Sequence, residues 1–201
     1  MAMYEPQKHH RRSIRLKGYD YTQPGAYFIT LVTYQREYLF GEVVKGEVVL
    51  NEWGYLALNE WQRLGQRYEQ VIIDESIVMP NHVHGILLIR GKSDAVGAGQ
   101  ETTLQIAPNF FAPPLPHAPL RDASGVVPGS VGAIVGAYKS TTARLINGLR
   151  RTPGAPVWQR NYYEHIIRNE RDLDEIRAYV RNNPLQWELD LENPAQFPSP
   201  G

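Results

Sequence analysis

The chain contains no cysteine among its 201 residues. Disulfides, thiolate metal ligands and cysteine nucleophiles are therefore excluded, and the composition fits a reducing compartment. No apolar run approaches the roughly 20 residues that a membrane-spanning helix needs. The first 20 residues are polar and basic and lack the apolar segment of a secretory signal. From these absences we expect a cytoplasmic protein with no membrane partner.

The sequence also has no net charge at pH 7, because 21 basic side chains balance 21 acidic ones. The charges are nevertheless segregated along the chain. Residues 1–20 carry five basic and two acidic side chains, and residues 138–160 carry five basic side chains and no acidic one. A phosphate backbone attracts local positive charge of this kind, whereas a solvated surface is the commoner explanation of any single run.

A length of 201 residues predicts one domain with a substantial core, and a hydrophobic content of 42% is typical of a globular protein. Residues 1–18 are predicted to form a basic N-terminal arm, and residues 19–187 the folded domain. Glycine, proline and alanine are frequent in residues 91–129, which we interpret as a flexible insertion in that domain. Residues 188–201 are predicted to be an irregular C-terminal tail.

Periodicity and turn chemistry predict an α+β fold. Strands are predicted at residues 27–34, 71–79, 82–89 and 162–168, with a small hairpin at residues 43–50. Helices are predicted at residues 51–68, 130–147 and 170–183, with N-caps at Asn51, Ser130 and Asn169 and ends at Gly148 and Pro184. The first six major elements give a ferredoxin-like βαββαβ antiparallel sheet, and the last helix is an addition to it.

Two histidines follow a Pro80-Asn81 turn at the start of a predicted central strand. Because side chains alternate along a strand, His82 and His84 point to one face and Val83 to the other. The two imidazoles lie about 7 Å apart by strand rise and can close on one divalent metal ion. The alternative is that both are ordinary packed histidines.

The last predicted helix carries two polar residues beside its apolar stripe. Leu173, Ile176 and Val180 have helical spacing and should face the sheet. Tyr179 and Asn183 are four residues apart, so they lie one above the other on a neighbouring face. If that face looks toward the histidines, a phenol and an amide oxygen join them. The alternative is a packing tyrosine and an ordinary asparagine before proline.

Several of these motifs together resemble one known family. The segment Met79–His84 is similar to the paired-histidine motif of the HUH nucleotidyl transferases, in which a bulky apolar residue separates two histidines. Residues 158–168 and 179–184 resemble the C-terminal signature of the REP-associated tyrosine transposases, where REP denotes a repetitive extragenic palindrome. Residues 15–21 and 40–43 also look like that family. The resemblance extends over most of the chain outside the predicted insertion.

The resemblance implies a metal-dependent enzyme that cuts and rejoins single-stranded DNA through a single tyrosine. By position, His82 and His84 would be metal ligands, Tyr179 the nucleophile and Asn183 the third ligand. Mg²⁺ or Mn²⁺ suits such a mixed set. The product would be a 5′-phosphotyrosine and a free 3′-hydroxyl. The implied partner is a DNA hairpin of a repetitive extragenic palindrome with single-stranded flanks, and a monomer is favoured over a homodimer. When bound to DNA the chain would be associated with the nucleoid.

Basic and aromatic side chains are the predicted DNA contacts. The candidates are Arg11, Arg12, Arg15, Lys139, Arg144, Arg150, Arg151, Trp158, Tyr162, Tyr163 and Arg168. Tyr162 and Tyr163 are also rival nucleophiles, ranked below Tyr179 because they lie on the strand before the last helix. His165 is expected to lie near the site or to orient that helix, and not to bind metal.

Three alternative interpretations stay open. One is a non-catalytic module that binds single-stranded nucleic acid through its aromatic side chains. Another is an HUH endonuclease of the relaxase or replication-initiator type. The last is a domesticated chain that binds the repeats and cuts poorly.

Overall fold

The computed structural model describes residues 19–91 and 127–196. The predicted arm with Arg11, Arg12 and Arg15 and most of the predicted insertion lie outside the described residues. The strands are β1 (Gly25–Val32), β2 (Gly41–Val44), β3 (Glu47–Leu50), β4 (Val71–Val78), β5 (His82–Ile89) and β6 (Tyr163–Ile167). The helices are α1 (Glu52–Gln62), α2 (Leu64–Arg67), α3 (Val131–Leu149) and α4 (Glu170–Asn182), and 3₁₀ turns cover Tyr34–Arg36, Asn183–Leu189 and Pro194–Gln196. Within the described ranges, no helix combines the length and the apolar character that crossing a membrane requires.

Four strands form an antiparallel sheet in the order β4-β5-β1-β6. Together with the helices, their order along the chain is β1, α1, β4, β5, α3 and β6, which is the ferredoxin-like arrangement. The predicted α+β class, the antiparallel sheet and the additional C-terminal helix are therefore confirmed. β2 and β3 form a separate hairpin whose turn residues Lys45 and Gly46 have φ angles of 53° and 80°, as a tight two-residue turn requires.

The two faces of the sheet pack against different helices. Val83 and Leu87 of β5 belong to the larger apolar core, which also contains residues of α1 and α3. Phe28 of β1 and Ile86 of β5 belong to a smaller core with α4. Strand alternation therefore places the side chains of His82 and His84 on the α4 side of the sheet.

Two helix boundaries differ from the prediction. The first helix stops at Gln62 and resumes as α2, where Gly65 weakens a continuous helix. The third helix passes through Gly148 and ends beyond it, because Arg151 supplies the left-handed residue of a Schellman motif at φ 55°. The Thr152 N–H completes that motif by donating to the Asn147 carbonyl.

The last α-helix ends before Pro184, as predicted, because α4 stops at Asn182 with Asn183 as its C-cap, but the chain continues in a 3₁₀ turn. The fixed φ of Pro184 suits a first helical turn, and a 3₁₀ turn runs from Asn183 to Leu189 directly after α4. A second short turn follows at Pro194–Gln196. The irregular tail predicted from residue 188 is therefore partly ordered up to residue 196, and residues 197–201 lie outside the described part.

A tryptophan and a glycine set the distance between α1 and β5. The Trp61 ring is fully buried and packs edge-on against Tyr138 of α3. Its other side lies over the backbone of Gly85, where an added Cβ would stand 2.1 Å from ring atom Cζ2. Because no carbon can occupy that space, the strand that carries the histidines requires glycine at this position.

Ion pairs connect α4 to the edge strand β4. The β4–β5 register shifts between Ile73 and Ser76, so the two consecutive acids between them form a bulge. Arg177 donates from Nε and Nη2 to both carboxylate oxygens of Asp74, at 2.9 and 2.5 Å. Arg181, one turn later, donates to Glu75 Oε1 at 2.5 Å. The bulge thus lets neighbouring carboxylates bind two arginines on one side of α4.

Gly85→Ala should destabilise the protein by about 3 kcal/mol, because the new methyl group overlaps the buried Trp61 ring. Gly136→Ala is the control, since an added Cβ in the middle of α3 meets nothing within 4 Å. It should stabilise the protein by about 0.5–1 kcal/mol through helix propensity. Urea unfolding measures both changes. Equal effects of the two substitutions would contradict the close contact.

Asp74→Asn should lower the free energy of unfolding by about 1–2 kcal/mol, because it removes charge from a bidentate pair whose carboxylate is 7% exposed. Glu175→Gln is the control, since its pair with Arg171 on the same helix is exposed, and it should cost less than about 0.5 kcal/mol. Urea unfolding and amide hydrogen exchange of α4 provide the measurements. Unchanged exchange in Asp74→Asn would show that the pair does not hold α4.

Candidate functional site

The two histidines of β5 meet beneath α4. Their ring centroids are 4.4 Å apart, and the rings are 0% and 3% exposed for His82 and His84. Burial lowers the pKa of His82 to about 4, although the nearby Asp190 charge raises it in part. Burial and the neighbouring His82 lower the pKa of His84 well below its usual value. Both imidazoles are therefore neutral at pH 7 and offer nitrogen lone pairs, the form in which histidine binds metal ions.

Each histidine has a hydrogen-bond partner at Nδ1. Thr30 of β1 lies opposite His84 in the sheet, and its Oγ1 is 2.9 Å from His84 Nδ1. Asn81 Oδ1 is 2.9 Å from His82 Nδ1. These contacts orient the two rings, as hydrogen bonds to the other ring nitrogen do for histidines that bind metal ions. The sequence-based prediction did not include Thr30, because only the pairing of β1 with β5 places it opposite His84.

Tyr179 extends from α4 over the histidines. Its hydroxyl oxygen is 3.3 Å from His84 Nε2, and its ring packs edge-on against Phe28. The residue is 43% exposed, so the phenol lies at the border of the buried site and solvent. The face of the last helix that carries Tyr179 therefore looks toward the histidines.

Asn183 and Asp190 lie on the other side of the histidine pair. The Asn183 Nδ2 group donates to Asp190 Oδ2 at 2.9 Å, and Asp190 Oδ2 is 4.0 Å from His82 Nε2. Ligand atoms of His82, His84 and Asp190 all lie within 4.8 Å of one another. The sequence-based prediction named Asn183 as third ligand and left Asp190 in an irregular tail. The sequence gives no signal for Asp190, because it is far from the histidines along the chain and reaches them only through the 3₁₀ turn after α4.

Two buried polar atoms in this cluster have no hydrogen-bond partner among the described residues. They are His82 Nε2 and Asn183 Oδ1. The amide oxygen can only accept a hydrogen bond, and so can Nε2 when the ring carries its hydrogen on Nδ1. An unpaired buried acceptor is costly unless something binds it. Two nitrogen acceptors, a carboxylate and an amide oxygen fit a divalent cation such as Mn²⁺ or Mg²⁺. The donor set therefore suits a metal ion.

Residues 187–193, which begin in the last part of the 3₁₀ turn and continue beyond it, cover the histidines; we call them the C-terminal segment. The Trp187 ring lies 6.0 Å from the His82 ring and 5.7 Å from that of Tyr38. Glu192 forms an ion pair with Arg36 at 2.8 Å. The Tyr38 hydroxyl donates to Asn193 Oδ1 at 2.6 Å. This packing makes His82 fully buried.

The predicted DNA contacts are distributed over both faces of the sheet. Lys139, Arg144 and Arg150 lie on or at the end of α3, which packs on the face opposite the histidines. The Lys139 ammonium donates to the Gln159 and Arg160 carbonyls, and burial lowers its pKa to about 8. Arg150 donates to the Asn147 side chain. These contacts give Lys139 and Arg150 structural roles.

The predicted aromatic contacts also differ in position. Trp158 is buried at 8% exposure, and its Nε1 group donates to Thr142 Oγ1 at 2.8 Å, so its ring is occupied by packing. Tyr162 packs against the core on the α1 and α3 side. Tyr163 lies on the histidine side, with its ring centroid 6.2 Å from that of Phe28. Of these three residues, Tyr163 is the one on the face of the candidate site.

The remaining candidates lie near the ends of α3 and α4. Arg151 follows α3 in the left-handed conformation, and Arg168 is exposed between β6 and α4. His165 Nε2 lies 3.0 Å from Asp172 Oδ2 in the first turn of α4. His165 therefore connects β6 to the helix that carries Tyr179.

Comparison with known proteins gave no matching family model. Two solved structures are similar at 14% identity. One is a REP-associated tyrosine transposase bound to a REP hairpin, with 93% of this chain and 74% of that chain covered and a TM-score of 0.46. The other is a candidate transposase from Deinococcus radiodurans, with 80% and 91% covered and a TM-score of 0.41.

A curated relative gives a much stronger match in sequence. It is an uncharacterized protein of Haemophilus influenzae Rd, 37% identical over 182 residues, which are 90% of this chain and 92% of the relative. Identity at this level over nearly the whole of both chains shows common descent. The chain therefore belongs to the same family as this Haemophilus influenzae protein.

Proposed function

We propose that the protein is a metal-dependent, single-tyrosine enzyme of the HUH type that cuts and rejoins single-stranded DNA. The observation that carries the proposal is the position of the Tyr179 hydroxyl, 3.3 Å from His84 Nε2 and above a pair of buried, neutral histidines. Phosphodiester transfer by tyrosine needs a phenol oxygen beside a site that can neutralise phosphate charge. This arrangement supplies both.

His82, His84 and Asp190 would hold the metal ion, with the Asn183 amide oxygen available in the same cluster. When bound, a divalent ion would polarise the scissile phosphate and stabilise charge on the leaving 3′ oxygen. The negative charge of Asp190 favours cation binding over the neutral set of two imidazoles and an amide. Burial of the histidines keeps competing protons away from their nitrogens at pH 7.

Tyr179 would be the nucleophile. Its hydroxyl oxygen attacks phosphorus, the bond from phosphorus to the 3′ oxygen breaks, and the departing 3′ oxygen takes up a proton. Because His84 Nε2 is assigned to the metal ion, the phenol proton must pass to another acceptor, and the 43% exposure of Tyr179 gives water access to it. The resulting 5′-phosphotyrosine retains the energy of the phosphodiester, so a 3′-hydroxyl can reverse the reaction.

The proposed substrate is a DNA hairpin with single-stranded flanks, of the repetitive extragenic palindrome class that the sequence motifs imply. Tyr163 lies on the histidine face beside Phe28 and could stack against a base there. Exposed Arg168, at the end of β6, could bind phosphate beside it. Proposed contacts from Arg144, on the opposite side of the sheet, would require the hairpin stem to extend around the domain.

Tyr179→Phe should abolish formation of a covalent protein–DNA adduct, because the substitution removes the attacking oxygen. The measurement is a denaturing gel of the full chain with a labelled repeat hairpin and Mn²⁺ or Mg²⁺, with EDTA as a blank. Tyr162→Phe and Tyr163→Phe are matched controls and should retain the adduct. An adduct in Tyr179→Phe would assign the reaction to another tyrosine. DNA binding with no adduct in the wild type would favour a non-catalytic binding module.

Asp190→Asn should weaken Mn²⁺ binding about tenfold or more, since metal affinity depends on the number of charged ligands. Calorimetric titration of the DNA-free protein measures this, so the result does not depend on DNA cleavage. His84→Ala should remove measurable binding. Glu188→Gln is the control, because Glu188 is an exposed acid in the preceding turn, and it should leave the affinity unchanged. Equal losses in both acid variants would place the metal elsewhere.

A further inference from the structure

We propose that Asn81 is the positioning residue of the metal centre, acting through His82 and through the C-terminal segment that carries Asp190. This inference rests on the proposed metal site and deepens it. The Asn81 side chain is fully buried and contacts three parts of the molecule. These are the His82 ring, the Arg36 carbonyl and the Glu192 carbonyl.

The orientation of the Asn81 amide follows from the two carbonyls. Its Nδ2 group donates to the Glu192 carbonyl at 2.6 Å and to the Arg36 carbonyl at 3.2 Å. Carbonyl oxygens can only accept, so the amide nitrogen must face them. The amide oxygen is then fixed toward His82 Nδ1, at 2.9 Å.

The oriented amide determines which nitrogen of His82 carries the hydrogen. An amide oxygen can only accept, so His82 Nδ1 must donate. A neutral imidazole has a single N–H group, and therefore Nε2 retains a lone pair. This lone pair lies beside the other proposed ligands, with Nε2 4.0 Å from Asp190 Oδ2. Thr30 differs in this respect, because its hydroxyl can donate to or accept from His84.

The same amide holds the surroundings of the site together. Glu192 is two residues from Asp190, and its N–H donates to Asp190 Oδ1 at 2.7 Å. The second carbonyl that Asn81 binds belongs to a strained turn, in which Gln35 and Arg36 have φ angles of 54° and 57°, unfavourable for residues other than glycine. The Asn81 hydrogen bond to the Arg36 carbonyl and the ion pair of Arg36 with Glu192 keep this turn in place. The Asn81 side chain thus acts both on the tautomer of His82 and on the position of Asp190.

The first test is the nitrogen-15 NMR spectrum of the histidine rings in the metal-free full chain at pH 8, with His82 assigned by its loss in His82→Gln. We expect Nδ1 of His82 to be protonated and Nε2 to be bare in the wild type. Asn81→Asp should keep this tautomer, because a carboxylate also accepts from Nδ1. Asn81→Ala should shift the ring toward a mixture of tautomers. A wild-type His82 protonated at Nε2 would overturn the proposal without any variant.

The second measurement is Mn²⁺ affinity by calorimetry, with thermal unfolding to select folded variants. Asn81→Ala should raise the Kd about 10–100-fold, and Asn81→Asp should raise it less, through loss of both carbonyl contacts. Asn193→Ala is the matched control, because it loosens the C-terminal segment at Tyr38 and Trp187 but does not contact His82. It should leave the His82 tautomer unchanged.

An unchanged His82 spectrum and Kd in folded Asn81→Ala would refute the positioning role. The ring spectrum requires neither DNA nor metal. Absence of a DNA adduct would therefore count against the proposed enzyme function and leave the assignment of Asn81 intact.

Discussion

The alternation of side chains along β5 is the constraint on which the rest of the structure depends. Val83 and Leu87 are buried on the α1 and α3 side, while His82 and His84 point to α4. A slip of one residue would place both imidazoles in the large core and two aliphatic side chains at the site. The contact of Trp61 with Gly85 works against such a slip, because only glycine leaves room for the ring. The strand register that buries the core residues is therefore the same register that brings the two histidines together.

The second constraint is the set of contacts that α4 makes on three of its sides. Its apolar stripe packs on the sheet through Leu173 and Val180, and Tyr179 extends on one flank toward His84. Arg177 lies two residues from Tyr179, which is about 200° around the helix, and reaches the bulge of β4 on the other flank. Rotation of the helix about its axis would break these ion pairs as it moved the phenol away from His84. Contacts that do not involve Tyr179 itself therefore help to fix the helix that carries it.

The candidate site buries polar side chains at positions where apolar side chains would give a more stable protein. Two neutral imidazoles, an asparagine and an aspartate lie together within the protein, and two of their acceptor atoms lack partners among the described residues. Such an arrangement costs stability that a bound cation would return, since ligand binding to the native state alone favours folding. The C-terminal segment completes this environment, so chain beyond the tyrosine helix is part of the site.

The sequence by itself determined the strands and helices, their order and the fold class, because apolar periodicity and capping residues such as Asn51 and Asn169 are local signals. It also determined that His82 and His84 share one face, since strand alternation requires no tertiary information. The end of the third helix at Gly148 was predicted too early, and the 3₁₀ turn after α4 was not predicted, because composition does not say which residue takes a left-handed or 3₁₀ conformation. Only the tertiary structure decided that Thr30, Asn81 and Asp190 lie at the candidate site. It also decided that three of the predicted DNA contacts, Lys139, Arg144 and Arg150, lie on or at the end of α3 on the opposite face. The contacts at the site join residues as far apart as Asn81 and Glu192, and no spacing along the chain encodes a distance that folding creates.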